Sequence, residues 1–376
     1  MKYRPFGKTG WNASALGFGC MRLPTVAGTQ NVDEAEAIRM IRHAIDSGVN
    51  YVDTAWPYHG QTSETVVGKA LRDGYRERVK VATKLPVWMV NEPADFDKFF
   101  DQQLAKLQTD HIDLYLLHAL GNQRWDKVRS QGVLEWATRQ KERGRIGWIG
   151  FSFHDEHSAF KRIVDEWDGW TFCQIQYNYM NTDTQAGTKG FEYAAQKGLA
   201  TVIMEPLLGG GLSNPPPSIQ NVWDSAPRRR SPSEWAFQWL WDKPQTSVVL
   251  SGMTSMAQLE ENLATVDRSG VGLLTAEEID LYGRVKVAYE HARPIPCTQC
   301  RYCMPCPSGV NIPENLELYN NRVAFDALPQ ARGHWTFMKP SEKASACTAC
   351  LECESKCPQS IKVHEWMSCI AAEMAG

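Results

Sequence analysis

Between about residue 15 and about residue 267 the chain alternates eight times between a short apolar run and a stretch with apolar residues at helical spacing. The apolar runs, read as strands, are 15–19, 50–54, 80–84, 112–118, 146–152, 173–177, 200–205 and 247–250. Between them, residues 33–47 place Ala37, Ile38, Ile41 and Ile45 on one helical face, and 96–107, 133–143, 158–167, 232–241 and 256–266 read the same way. Eight strand–helix units of this length predict an α/β fold, a (β/α)8 barrel. The alternative, an open doubly wound sheet, announces itself by a Gly-rich turn after its first strand. Gly17 and Gly19, followed by Cys20-Met21-Arg22-Leu23-Pro24, do not make that turn. Ahead of the barrel, residues 5–18 read as a hairpin around Lys8-Thr9-Gly10 that plugs the barrel bottom. Residues 207–232, with three glycines, three prolines and three arginines in runs, are predicted to be a long loop.

After Val266 the pattern changes. Thr275 and Glu278 have capping-box spacing and open a helix reaching about His291, which Pro294 and Pro296 end. Two cysteine runs follow: Cys297, Cys300, Cys303 and Cys306 before Pro307, then Cys347, Cys350, Cys353 and Cys357 before Pro358. The second run is C-x2-C-x2-C-x3-C-P, the thiolate spacing of [4Fe–4S] sites, in which the fourth cysteine of one run ligates the other run's cluster. Eight cysteines therefore imply two clusters: one on Cys297, Cys300, Cys303 and Cys357, the other on Cys347, Cys350, Cys353 and Cys306. Cys306 departs from the rule, with two residues rather than three separating it from Cys303. Structural zinc is the alternative, but it favours paired C-x2-C knuckles separated by a spacer. The segment between the runs is longer than a compact ββ ferredoxin needs, and 314–327 has helical composition, so the module is expected to be mainly α-helical. The resulting domain scheme is a barrel over 1–270, a linker helix over 271–294 and a dicluster ferredoxin-like domain over 295–376. Cys20, Cys173 and Cys369, outside the runs, are expected to be small buried hydrophobes.

Bulk properties exclude some partners. A net charge of −3 over 376 residues gives no global pull toward nucleic acid or an anionic membrane. No apolar run approaches the ~18 residues of a membrane span. The segment Met1-Lys2-Tyr3-Arg4-Pro5-Phe6-Gly7 lacks the apolar core of an export signal. Cysteines committed to metal without such a signal place the protein in a reducing cytoplasm.

Chemistry in a barrel of this kind sits at the C-terminal strand ends. Strand-end positions here carry Asp53, with Tyr58 just beyond, Lys84 and His118. Singly, each has an ordinary explanation: a helix cap, a solvated lysine, a packed histidine. Together they suit carbonyl reduction, which needs a proton donor beside the developing alkoxide. A tyrosine can donate, and a nearby ammonium lowers its pKa from about 10. Asp53 would hold Lys84, and His118 would donate to the carbonyl oxygen.

These residues belong to a longer pattern. Asp53-Thr54-Ala55-x-x-Tyr58, Thr83-Lys84, Leu117-His118 and Gly150-Phe151-Ser152-x-His154 are followed by Gln174-Ile175-Gln176-Tyr177-Asn178. Ser251-Gly252-Met253 and Gln258-Leu259-Glu260-Glu261-Asn262 come later. Residues 1–290 thereby resemble the aldo-keto reductase family, and the cysteine tail resembles the subgroup with a [4Fe–4S] dicluster domain. The resemblance implies NAD(P)-dependent carbonyl reduction or alcohol oxidation, with Asp53, Tyr58, Lys84 and His118 as catalytic tetrad and Tyr58 as proton donor. It implies NADP or NAD held by Ser152, Gln176 and Tyr177 at the nicotinamide, with Tyr177 stacked on the ring. Pro206, Leu207 and Gly209 would line the pyrophosphate path. Ser251, Gly252, Met253, Gln258, Glu261 and Asn262 would hold the adenosine. Ser255 stands where many relatives place an arginine at the adenosine phosphate, which weakens discrimination for NADPH; Arg228, Arg229 and Arg230 are the alternative grip. Trp56, Trp88, Met89 and Trp125 read either as a substrate pocket or as packing under the tail. The expected partners are a small carbonyl or alcohol substrate and a ferredoxin-like redox partner. Two rival readings keep the fold: an electron-transfer oxidoreductase whose barrel exchanges electrons with the clusters and a ferredoxin-like, flavin or quinone partner, and a nucleotide-binding redox sensor.

Overall fold

A computed structural model describes residues 1–297 and 299–375. Ten strands occur among them: β1 (Tyr3–Pro5), β2 (Asn12–Ser14), β3 (Leu16–Gly19), β4 (Tyr51–Asp53), β5 (Lys80–Leu85), β6 (Ile112–Leu120), β7 (Ile146–Phe153), β8 (Phe172–Gln176), β9 (Ala200–Met204) and β10 (Thr246–Gly252). The last eight close a parallel barrel in the order β10-β3-β4-β5-β6-β7-β8-β9. Every run read as a strand is one, because a strand buried on both faces reads as a nearly continuous apolar run.

The crossover helices follow their patterns. Helix Glu34–Asp46 buries Ala37, Met40, Ile41, Ala44 and Ile45. Asp33 caps it by accepting from the Glu36 N–H at 3.1 Å. Helices Ala94–Leu107, Val133–Glu142, His157–Asp165, Pro232–Trp241 and Met256–Asp267 also lie where expected. Three barrel helices carry little signal. Asn122–Ser130 buries only Trp125 and Val128, Gly187–Gln196 holds two glycines, and Ser63–Ala70 is eight residues long. The segment 207–232 is not one loop: it contains the helix Pro217–Asp224, begun by its proline and anchored by buried Ile219 and Trp223.

The N-terminal hairpin is β1 paired antiparallel with β2. Its turn drives Phe6 into the barrel floor, against Tyr51, Ala82, Leu114, Phe172, Ala200 and Val248, near the starts of their strands. Trp11 stacks on Trp148 at 5.8 Å, with the Lys80 ammonium 5.1 Å from the Trp148 ring. Beside it, Asp113 accepts from the Val81 N–H at 3.0 Å and pairs with Arg76 at 2.8 Å and Lys80 at 3.2 Å. Burial raises the Asp113 pKa, but His111, Arg76, Val81 and Lys80 outweigh it and hold the carboxyl well below its usual range. A depressed carboxylate contributes stability above its unfolded pKa and loses it as pH falls through the folded one. Asp113→Asn is therefore expected to cost about 2 kcal/mol at pH 7. The deficit should shrink in acid below pH ~4, as followed by urea unfolding at several pH values.

Two compact units are formed: Met1–Pro206 with Glu234–Leu274, and Leu207–Ser233 with residues from Thr275 onward. The second has no strand among its described residues. Its helix Ala276–His291 opens on the capping box formed by Thr275 and Glu278. Trp223 packs edge-on to Tyr282 at 5.3 Å. Helices Ile312–Ala324, Leu328–Phe337 and Val363–Ala375 enclose a small core that includes Leu316, Trp335, Met367 and Ile370. Arg230 bonds Glu278 at 2.6 Å, with Arg228 3.8 Å away, so Arg230 is committed to this unit. Among the described residues no helix is long and apolar enough to cross a membrane.

Candidate active site and cluster-binding module

Parallel pairing of β4 with β5 and β5 with β6 brings the strand-end residues together. The Lys84 ammonium, 1 % exposed, donates to Asp53 Oδ1 at 2.7 Å, to the Thr54 carbonyl at 2.8 Å and to the Tyr58 hydroxyl at 3.4 Å. The Tyr58 and His118 rings lie 6.1 Å apart, nearly perpendicular. All four residues expected at the barrel mouth thus share one site.

Backbone irregularities aim two of them. Tyr58 opens a short helical turn in which His59, Gly60 and Gln61 have φ of 48°, 59° and 73°. His59 Nε2 accepts from the Leu23 N–H at 2.9 Å and ties that turn to the chain after β3. His118 precedes Ala119, which has φ 55°, and the β6–β7 register shifts between Leu117 and Leu120. Such a bulge re-aims a side chain. Ser152 Oγ secures it by accepting from the Ala119 N–H at 2.7 Å.

Behind Lys84 lies a buried network that sequence reasoning missed. Glu64 accepts from Thr83 Oγ1 at 2.6 Å and from Gln103 Nε2 at 2.7 Å. Gln103 also donates to the Lys84 carbonyl at 3.0 Å and accepts from Tyr115 at 2.7 Å. Glu64 and Gln103 are fully buried on two different helices. Their signal was the placement of a Glu and a Gln among the mainly apolar residues on the inner faces of those helices.

Burial raises Asp53 against the pull of Lys84. Lys84 is raised because attraction by Asp53 and Tyr58 overcomes desolvation. The expectation that Lys84 lowers Tyr58 is only half met. Lys84 does pull it down, but burial is the larger effect and the phenol sits above its usual value. Tyr58 is consequently a protonated donor at neutral pH. His118 is pushed well below its usual value, first by burial and then by Lys84, His154 and Arg124, so its ring is neutral. His118 Nδ1, Asp53 Oδ2 and Gln174 Oε1 are buried without a hydrogen-bond partner, polar atoms that a bound molecule could satisfy.

The residues implied for the nucleotide fall as follows. Ser152, Gln176 and Tyr177 lie at or just past the ends of β7 and β8 and are buried. The Tyr177 ring is 4.9 Å from Phe191 and 5.0 Å from Trp239, and its hydroxyl bonds Thr188 at 2.9 Å. Ser251 Oγ accepts from Asn262 Nδ2 at 3.0 Å, and Gly252 and Met253 follow it. Gln258 and Glu261 are exposed on the helix that begins there. Ser255 caps that helix, accepting from the Gln258 N–H at 3.4 Å. Pro206 belongs to the first unit, while Leu207 and Gly209 belong to the second.

The tryptophans separate. Trp88 is 38 % exposed with its ring 5.0 Å from His118, and Met89 is 37 % exposed beside it in sequence. Trp56 is instead buried edge-on to Phe99, under the Lys106 ammonium. Trp125 is buried against Trp170 and donates to Glu166.

In the second unit, one pocket is lined by Cys306, Cys347, Cys350 and Cys353. Another is lined by Cys297, Cys300, Cys303 and Cys357. These are the two crossed sets of the spacing rule, Cys306 included. Ile312 and Val363 line both. Among the described residues no three His, Cys, Asp or Glu side chains converge on one ion position. A cubane, whose four irons each take one thiolate, suits four cysteines spread around a pocket. Cys300 and Cys350 are exposed. Cys20 and Cys173 are buried as expected, but Cys369 is exposed, on the outer face of its helix near Tyr319.

Residues 15–280 match the aldo/keto reductase family, and residues 296–361 match the 4Fe-4S dicluster domain. The chain is 28 % identical over 287 residues to the L-galactose dehydrogenase of Arabidopsis thaliana, spanning 71 % of this chain and 88 % of that one. An aldo-keto reductase of Bacillus halodurans, in its holo form, superposes with TM-score 0.63 at 27 % identity, over 76 % of this chain and 96 % of that one. An aldo-keto reductase of Klebsiella pneumoniae in complex with NADPH superposes with TM-score 0.61 at 24 % identity, over 76 % and 95 %. With the barrel, its mouth and the paired cysteine pockets on one chain, the protein belongs to the aldo-keto reductase family and carries a C-terminal 4Fe-4S dicluster domain.

Proposed function

We propose that the protein is an NAD(P)-dependent oxidoreductase that reduces carbonyl compounds, or oxidises the corresponding alcohols, and that its tail holds two [4Fe–4S] clusters. The observation that carries the catalytic half is the buried Lys84 ammonium held between Asp53 and the Tyr58 hydroxyl. Bound at the mouth, a nicotinamide supplies the hydride that the carbonyl carbon receives. Ser152, Gln176 and Tyr177 would hold its ring end, and Ser251, Gly252, Met253, Gln258, Glu261 and Asn262 its adenosine end. Tyr58 gives its proton to the carbonyl oxygen as charge develops there. Lys84 steadies the resulting tyrosinate until solvent reprotonates it, and Asp53 keeps Lys84 charged and in place. His118, neutral at pH 7, donates one N–H to the same oxygen. Ser255 spends its hydroxyl on a helix cap and Arg230 on Glu278, which supports weak discrimination between NADPH and NADH.

The four-cysteine pockets support the metal half, and ligands of this kind suit the reducing cytoplasm. A second reading, electron exchange with an outside ferredoxin-like partner, is favoured by the exposure of one cysteine per pocket, Cys300 and Cys350. Anaerobically purified protein is expected to contain about eight irons and as many acid-labile sulfides per chain. It should oxidise NADPH or NADH with at least one member of a panel of aldehydes, ketones and quinones. Zinc without sulfide would overturn the metal half, and silence across the panel the catalytic half. Mixing with excess NAD(P)H followed by electron paramagnetic resonance separates the two readings. Stoichiometric cluster reduction without added flavin would favour electron transfer.

A further inference from the structure

The rim beside His118 carries an exposed tryptophan, Trp88, and the cations Arg124 and Lys127, while the Asp155 carboxylate is engaged by the Asn122 N–H at 2.8 Å. Trp88 lies 5.0 Å from the His118 ring, and the Arg124 guanidinium lies 5.6 Å from the Trp88 ring centre. Those two spans, laid end to end, are the farthest the guanidinium can be from the imidazole. Arg124 sits in the first turn of helix Asn122–Ser130, directly after the bulged end of β6. Its Nη1 donates to the Ala119 carbonyl at 2.8 Å, which fixes the head while leaving other donors of the fork. Lys127, one turn on, reaches the Trp88 carbonyl at 3.4 Å. Beyond burial, Lys84, His154 and Arg124 each lower the His118 pKa. Desolvation and Arg124 also hold His154 below its usual value.

We infer that the substrate of this site is an aromatic carbonyl compound bearing an anionic group, carboxylate or phosphate, which Arg124 grips while Trp88 covers the ring. The inference rests on the carbonyl-reduction reading and adds the substrate class to it. A carbonyl oxygen at Tyr58 and His118 and an anion at Arg124 would sit at opposite ends of one planar ring, with Trp88 alongside. A guanidinium fork fits carboxylate and phosphate oxygens, and an exposed tryptophan offers a flat apolar surface. His118 needs no anion of its own there, being neutral.

The test compares 4-carboxybenzaldehyde and 4-formylphenyl phosphate with methyl 4-formylbenzoate, a neutral counterpart, using the nucleotide that supports turnover. Wild-type kcat/KM should favour at least one anionic aldehyde by about tenfold, mainly through KM, as expected for a hydrogen bond to a charged group. Which anion is favoured names the source of the charge. Arg124→Gln should bring the ratio to about one, and Arg124→Lys should keep part of it. Equal kcat/KM for neutral and anionic aldehydes in wild type, or a ratio untouched by Arg124→Gln, would overturn the inference. Turnover of the neutral ester that is lost in Tyr58→Phe would then leave the reduction reading standing, whereas turnover of none of the three overturns the inference, and the reduction reading falls with it only when the wider panel of aldehydes, ketones and quinones is silent as well.

Discussion

Tyr58→Phe is expected to lower the rate of carbonyl reduction by about 10²–10⁴, the usual contribution of a positioned acid, while nucleotide affinity changes little. In the proposed mechanism the phenol supplies the proton that the developing alkoxide needs, and phenylalanine keeps the ring that meets His118 edge-on at 6.1 Å. The loss should appear in kcat more than in KM, because the proton is shared only as the transition state forms. Stopped-flow hydride transfer and nucleotide titration by fluorescence separate the two quantities. A variant with near wild-type turnover would remove Tyr58 from the chemistry. Since burial holds this phenol above its ordinary value, wild-type carbonyl reduction should persist through neutral pH and fall only in strong alkali, where the donor is lost.

Lys84→Met is expected to destabilise the barrel by about 3–5 kcal/mol, because it leaves the Asp53 carboxylate buried without its partner. Asp53 is 2 % exposed and its Oδ2 already lacks a hydrogen-bond partner, so water cannot readily replace the ammonium. Burial already raises Asp53. A carboxyl with a raised folded pKa gives full stability below its unfolded pKa and loses it as pH rises. The deficit of the variant should therefore be largest near neutral pH and shrink in acid. Asp53→Asn combined with Lys84→Met should recover much of the stability and none of the turnover, which separates folding from catalysis. Equal urea midpoints for Lys84→Met and wild type at pH 7 would contradict the buried-pair account.

Much of this was legible in residue order. The strands were visible because a parallel barrel buries both faces of each one, and the grouping of Asp53, Tyr58, Lys84 and His118 because strand ends in such a barrel point to one mouth. The crossed cysteine sets were legible from spacing alone, even though Cys306 breaks the spacing of its run. Other features depend on three dimensions. Helix Asn122–Ser130 is nearly all polar and forms because Trp125 and Val128 pack beneath it. Helix Pro217–Asp224 hid in a segment whose glycines and prolines looked like a loop. The direction of the Tyr58 shift could not be read from neighbours, because it is set by how completely the barrel excludes water. Glu64 and Gln103 were overlooked because the carbonyl and hydroxyl they serve come from a strand far away in sequence.

Ile312 and Val363 each line both four-thiol pockets. Val363 begins the last helix and Ile312 begins the helix that follows the first cysteine run. Each cysteine run also sends its fourth thiol to the pocket lined by the other run. The tail is thus a single two-chambered box, whose chambers borrow walls and fastenings from each other. Damage to one chamber, for example by oxidation at exposed Cys350, would loosen the seat of the other. On the proposed cluster assignment, iron loading and iron loss are accordingly expected to be properties of the whole box.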